Sequence, residues 1–205
     1  MNLHDYIAQH ILPCYAHFDA AHRLDHVESV MKRSVEMAQH YPQVNVILVE
    51  VAAAYHDLGL CEGREHHHLV SGRIVRSDVQ LRQWFTEEEI EIIAQAAEDH
   101  RASAHHPPRS IYGCIVAEAD RQINPDTVIR RTLLYGLDHY PALTKENHYQ
   151  RVRVHLKEKY GKKGYLKLYL PESPNVAPLK ELRTIIENEA QLRQKFEEVW
   201  QNTSR

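Results

Sequence analysis

The stretch VNVILVEVAAAYHDLG, residues 44–59, decides the fold class. It is almost wholly apolar until the polar pair His56-Asp57, and Gly59 follows as the predicted C-terminal cap of a helix. A helix that is apolar on every side is expected to lie buried at the centre of a helical domain. The His-Asp pair would then lie in the last turn of the helix. Adjacent side chains on a helix point about 100° apart, so the two can share one ion only if the ion lies beyond the end of the helix.

Helical periodicity continues on both sides of this stretch, and clear strand alternation is scarce. Thr86 and Glu89 have the spacing of a capping box, while Pro13 is expected to break or kink the first helix. Residues 164–170 (GYLKLYL) alternate and allow one short strand. The fold class is therefore predicted to be all-α. The predicted helices are 2–18, 22–40, 44–58, 67–80, 87–102, 111–122 (capped by Ser110), 125–138, 144–160 and 178–201.

Composition and charge narrow the class of protein. The length of 205 residues, without a long linker, predicts a single domain over 1–205. The net charge of −3 gives no basic field that would favour a nucleic acid polymer or an anionic membrane. No apolar run is long enough to span a membrane, and no secretory signal is evident. Cys14, Cys61 and Cys114 lack metal or disulfide spacing, which favours free thiols in the cytoplasm. Oligomeric state cannot be read from the sequence.

Four polar residues recur near the ends or polar sides of different predicted helices: His26, His56, Asp57 and Asp120. Imidazole nitrogens and carboxylate oxygens together suit Zn, Mn, Fe or Co, and the carboxylates also accommodate Mg. The alternative is that these residues only satisfy one another by hydrogen bonds. A His-Asp pair in a nearly all-apolar helix needs stronger compensation than that. We therefore predict that this set binds one or two divalent metal ions.

Three ordered segments resemble the HD-domain superfamily of metal-dependent phosphohydrolases: D-H-V-E-S-V at 25–30, Y-H-D-L-G at 55–59 and A-E-A-D-R at 117–121. The resemblance covers about residues 15–125. It implies an HD-domain-like helical bundle, with additional C-terminal helices over about 126–205. It also implies that His26, His56, Asp57 and Asp120 coordinate the first metal, and that Asp57 is placed to bridge a second.

Two more segments resemble the family. His68 opens H-L-V-S-G, similar to the family's H-x-x-S-[AG] segment, and His100 ends I-I-A-Q-A-A-E-D-H. In two-metal members such positions hold the second ion or contact the substrate phosphate. Many members have a lysine soon after the His-Asp pair, where this chain has Cys61-Glu62, so another cation must contact the phosphate. The histidine that holds the second ion or contacts phosphate stays open among His66, His67 and His68 and among His100, His105 and His106. The candidates for the phosphate-binding cation are Arg23, Arg64, Arg101, Arg109 and Arg121. Of these, Arg101 and Arg121 directly follow proposed ligands.

The resemblance implies a hydrolase that cleaves a phosphate ester of a small molecule such as a nucleotide. A metal-bound hydroxide would attack phosphorus, with Asp57 orienting the attacking water and with His68 and His100 as further catalytic residues. No general acid can be named from the sequence. Two alternatives remain open at this point: a di-iron oxygenase on an HD-like fold, and a non-catalytic nucleotide sensor that contains a metal.

Overall fold

The computed structural model describes residues 1–18, 22–104 and 106–203, and this part of the chain contains ten α-helices and no strand. The all-α fold class is thereby confirmed. The chain divides into two compact units, Met1–Arg121 with Tyr169–Ser173, and Gln122–Leu168 with Pro174–Arg205. Whether residues 1–205 act as a single domain stays a prediction.

The first unit is built around one buried helix. Its helices are α1 (Leu3–Tyr6), α2 (Leu24–Ala38), α3 (Val46–Tyr55), α4 (His67–Ser77), α5 (Glu87–Glu98) and α6 (Ile111–Asp120). Every residue from Val51 to Tyr55 is buried, and α3 packs against α2, α5 and α6. Small side chains at Ala52–Ala54 let these neighbours approach the backbone closely. The prediction of a buried central helix is confirmed.

The N-terminal segment is regular for only a short distance. After α1 the backbone widens into a π-helix at Ile7–Ile11 and then tightens into a 3₁₀-helix at Leu12–His17. Pro13 lacks an amide N–H, and its ring clashes with the carbonyl four residues earlier, so an α-helix cannot continue through it. The predicted break is confirmed, and residues 2–18 do not form one continuous helix.

Capping side chains place the helix starts where the sequence predicts them. Thr86 Oγ1 accepts a hydrogen bond from Glu89 N at 3.3 Å, and Glu89 Oε2 accepts one from Thr86 N at 2.9 Å, which confirms the capping box. Ser110 Oγ accepts from the amide of Gly113 at 3.4 Å and so caps α6. These bonds satisfy backbone donors that have no partner within their helices.

Gly59 does not cap α3 as predicted. The helix ends at Tyr55, and Leu58–Glu62 forms a 3₁₀-helix instead. Among the glycines of the described chain only Gly63 has a positive φ, 103°. A Cβ atom on Gly59 would lie 1.9 Å from the carbonyl oxygen of His67. Glycine is thus required here because α4 packs directly against the backbone.

The second unit contains four helices: α7 (Pro125–His139), α8 (Lys145–Tyr160), α9 (Val176–Glu187) and α10 (Glu189–Thr203). The helix predicted over 178–201 is divided at Asn188, whose Oδ1 accepts a hydrogen bond from Gln191 N at 3.2 Å. An asparagine cap of this kind competes with helix continuation, which explains the break. Tyr149 and Phe196 pack edge to face in the core of this unit, with ring centroids 5.2 Å apart.

Residues 164–170 do not form the short strand that their alternation allows. In the second unit, Leu166 N donates a hydrogen bond to Lys159 O at 3.0 Å, at the end of α8. In the first unit, the amides of Tyr169 and Leu170 both donate to the buried carboxylate of Glu118, the latter at 2.9 Å. These backbone donors bind a helix end and a side chain, so they form no ladder with another strand.

No helix in the described ranges is both long and apolar enough to cross a membrane. The cytoplasmic location stays a prediction.

Candidate metal centre

The turn that follows α3 carries His56 and Asp57, and both side chains are buried. Asp57 leaves the helical conformation, with φ −109° and ψ 4°. The hydroxyl of Tyr15 donates to Ala54 O at 2.8 Å and accepts from Asp57 N at 3.4 Å, which ties Tyr15 to the backbone before the pair and to the peptide group within it. The sequence did not reveal this role of Tyr15, because it lies in the irregular segment after Pro13.

Side chains from two other helices converge on this turn, His26 from α2 and Asp120 from the last residue of α6. His26 Nε2 lies 3.6 Å from Asp57 Oδ2 and 3.3 Å from Asp120 Oδ1. His56 Nε2 lies 3.2 Å and 3.9 Å from the same two oxygens. The structure therefore brings together all four residues that the sequence singles out. We call His26, His56, Asp57 and Asp120 the first cluster.

The first cluster fits a metal ion because its nitrogens lack other partners. The Nε2 atoms of His26 and His56 are buried and make no hydrogen bond with any described atom. His56 Nδ1 lies 2.7 Å from Ala53 O, and a carbonyl only accepts, so Nδ1 carries the proton and Nε2 presents a lone pair. Burying such a lone pair without a partner is costly. A divalent cation would satisfy it.

The cluster is strongly polarised. Burial opposes the ionisation of Asp57, but His56, His100 and His26 hold its pKa well below the usual range. Asp120 has its pKa lowered to about 2, because His26 and His56 outweigh the effect of burial. Burial also opposes the charging of His26, yet Asp120 and Asp57 raise its pKa to about 9, so this ring must release a proton when a metal ion binds. Both carboxylates are therefore ionised at neutral pH, the form in which they bind metals.

A second group of ligand atoms lies on the other side of Asp57. Its Oδ1 is 3.5 Å from His67 Nε2 and 3.4 Å from His100 Nε2, and these two nitrogens are 3.0 Å apart. Their Nδ1 atoms lie 2.8 Å and 2.6 Å from the carbonyls of Arg64 and Ala97, so both rings present Nε2 lone pairs when neutral. Two facing lone pairs repel each other unless a cation lies between them. We call Asp57, His67 and His100 the second cluster; each of its three ligand atoms lies within 4.8 Å of the others.

The second cluster contains His67, and the structure does not bring His68 into it. His67 and Ser71 are four residues apart and share the face of α4 that packs on the 58–62 turn, where Ser71 Oγ accepts from Gly59 N at 2.9 Å. His68 is rotated by about 100° on the helix. Its Nδ1 lies 3.4 Å from Arg101 Nη1. Burial and the charge of Arg101 lower the pKa of His68 to about 4.

The remaining candidates lie elsewhere. His66 is exposed and 3.6 Å from Glu65 Oε1, His106 is exposed, and His105 lies outside the described residues. Arg121 is buried and its guanidinium lies 5.9 Å from the ring centre of Tyr169. Its phosphate contact stays a prediction.

An ion pair lies at the end of α5, directly before His100 in the sequence. The buried carboxylate of Asp99 accepts from Arg109 N at 2.7 Å and from Arg109 Nε at 3.0 Å, and Arg109 Nη2 also donates to Glu98 Oε2 at 2.6 Å. These bonds tie Arg109 back to the end of α5. Arg109 thus pairs with carboxylates of the protein, although the sequence allowed it as a phosphate contact.

We expect Arg109→Ala to lower the free energy of unfolding by about 2 kcal/mol, because a buried carboxylate loses its charged donor. It should also weaken metal binding through His100. Arg82→Ala is the matched control, since Arg82 pairs with Glu87 at the surface, and should cost less than about 1 kcal/mol. Urea unfolding of both variants measures the difference. Equal losses would show that the Asp99–Arg109 pair does not brace the site.

The family model of the HD domain matches residues 23–124, a range that contains both clusters. The chain belongs to the HD-domain superfamily. Membership implies a metal-dependent hydrolase, and the two clusters supply ligand sets that fit this general activity. No curated protein and no solved structure matches the chain.

Proposed function

We propose that this HD domain binds two divalent metal ions and hydrolyses a phosphate ester of a small molecule such as a nucleotide. The observation that carries the proposal is the position of Asp57, whose two carboxylate oxygens face different clusters. Oδ2 lies 3.2 Å from His56 Nε2, and Oδ1 lies 3.4 Å from His100 Nε2. A carboxylate shared in this way supports a pair of ions at a fixed separation.

The donor sets support one assignment of the ligands. His26, His56, Asp57 and Asp120 would hold one ion, and Asp57, His67 and His100 the other. Mixed nitrogen and oxygen donors suit Mn, Fe, Co or Zn, and Mg remains compatible with the carboxylates. When bound, such ions supply Lewis acidity and a hydroxide nucleophile at neutral pH.

Hydrogen bonds within the protein preorganise the histidine rings of the site. Hydrogen bonds from Nδ1 of His56, His67 and His100 to backbone carbonyls fix each ring and aim its Nε2 inward. In this proposal Asp57 orients the attacking water, because it is buried and belongs to both clusters. The arrangement therefore requires little reorganisation when the phosphate binds.

Metal removal provides the first test. We expect a chelator to lower the melting temperature by about 5–10 °C relative to protein with metal at about 100 times its dissociation constant, because only the folded state assembles the ligands. Thermal unfolding with and without added Mn, Co, Zn or Mg measures this shift. A melting temperature that is unchanged with every ion would contradict the metal assignment.

Activity provides the second test. Protein purified without chelator is analysed for metals and then assayed on nucleotides and a generic phosphodiester with each added ion. Release of phosphate or alcohol that depends on metal supports the proposal. Metal-dependent nucleotide binding without turnover would identify a sensor instead, and iron with an oxygen-dependent absorbance change would identify an oxygenase.

A further inference from the structure

His68 and Arg101 form a polar pair beside the second cluster. Each directly follows a member of that cluster in the sequence, His67 and His100 respectively. Arg101 Nη1 donates to His68 Nδ1 at 3.4 Å and also contacts the carbonyl oxygen of Glu65. The rings of His67 and His68 have centroids 5.6 Å apart, so the pair lies close to the ligand atoms without being among them.

The hydrogen bond from Arg101 determines which nitrogen of His68 carries its proton. A guanidinium has only donors, so His68 Nδ1 must accept. In the neutral ring the proton then lies on Nε2, which becomes a donor. His67 and His100 have the opposite arrangement, because their Nδ1 atoms donate to carbonyls and their Nε2 atoms present lone pairs. Nε2 of His68 in this tautomer cannot bind a cation, but it can donate to an anion.

The charge of Arg101 supports the same conclusion. Its other described partner is Ser103, whose hydroxyl accepts from Nε at 3.0 Å, and no carboxylate in the described ranges pairs with it. Arg76 and Arg109, by contrast, each pair with carboxylates on α5 or at its end. Arg101 thus keeps an uncompensated positive charge and free N–H groups next to a predicted phosphate site. A planar guanidinium suits phosphoryl oxygens.

We propose that His68 and Arg101 form an oxyanion-binding pair that donates hydrogen bonds to phosphoryl oxygens of the substrate. His68 is then a phosphate-binding residue and His67 the metal ligand, although they are neighbours on α4. The proposal rests on the proposed function, since it assigns the phosphate contact of that same site.

The test measures phosphate affinity and metal content separately, on the full chain. Inorganic phosphate is titrated calorimetrically into Mn-loaded protein, and metal content is determined after desalting. His68→Ala and Arg101→Ala should each weaken phosphate binding about 10- to 100-fold, the effect of losing a hydrogen bond to a charged group, with metal content unchanged. His67→Ala should lose metal. His66→Ala, an exposed neighbour, should change neither.

Conservative variants separate donor loss from disturbed packing. His68→Gln keeps an N–H donor and should retain most of the phosphate affinity, whereas His68→Glu presents an acceptor and should lose it. Loss of metal in His68→Ala equal to that in His67→Ala would overturn the proposal, because His68 would then be a ligand. Wild-type phosphate binding that persists unchanged in His68→Ala and Arg101→Ala would overturn the pair but not the hydrolase. Mn-loaded wild type that binds no phosphate would overturn both.

Discussion

Asp57→Ala is expected to remove metal from both clusters and to lower hydrolase activity by at least about 1000-fold. The reason is geometric, because one side chain serves two sets of ligands. Oδ2 of Asp57 faces His26 and His56 in the first cluster, and Oδ1 faces His67 and His100 in the second. Removing it also leaves His67 and His100, whose Nε2 atoms are 3.0 Å apart, without the carboxylate that faces both. Metal content and turnover are measured on the same preparation.

Asp25→Ala is the matched control for this variant. Asp25 is an exposed acid in the first turn of α2, adjacent to His26, and it makes no contact with either cluster among the described residues. It should retain metal and activity. A preparation of Asp57→Ala that keeps both ions would refute the shared-carboxylate arrangement, even if activity were lost for another reason.

The same geometry predicts unequal effects for the other ligands. Within the described residues, Asp120 lies 3.3 Å and 3.9 Å from histidines of the first cluster, whereas His67 belongs to the second cluster alone. Their alanine variants should each lose one ion and retain part of the other, while Asp57→Ala loses both. This contrast identifies the bridging residue without reference to any substrate.

The sequence predicted the features that depend on local chemistry. The buried helix at 46–55, the capping box at Thr86 and Glu89 and the break at Pro13 all follow from neighbouring residues. The first cluster was also predictable, from metal-binding residue types near the ends of predicted helices together with a resemblance in which three separated segments occur in order. Distances among His26, His56, Asp57 and Asp120 depend on how α2, α3 and α6 pack, and no local pattern gives them.

The choice between His67 and His68 shows where sequence reasoning ends. Both belong to the same histidine run, and the match to H-x-x-S placed His68 first. Which one faces Asp57 depends on the face of α4 that packs on the 58–62 turn, and Ser71 and Gly59 fix that face through a tertiary hydrogen bond. Tyr15 was missed for a similar reason, since its partners lie about forty residues away.

Gly59→Ala tests whether this packing determines the second cluster. The added Cβ would lie 1.9 Å from His67 O and 2.7 Å from Ser71 N, and both are backbone atoms that no side-chain rotation can move. α4 must therefore shift away from the turn and carry His67 with it. We expect the free energy of unfolding to fall by at least about 3 kcal/mol, the upper range for overpacking. The second ion should be lost while the first is retained.

Gly63→Ala is the control that separates this clash from backbone strain. Gly63 has a φ of 103°, but a Cβ atom added there would meet nothing within 4 Å, so alanine is strained at this position without colliding with α4. It should cost about 1–3 kcal/mol and keep both ions. Urea unfolding and metal analysis compare the two variants. If Gly59→Ala kept the second ion, then the close approach of α4 would not be what brings His67 to Asp57, and the second ion would depend on His100, which follows α5, and not on the position of His67.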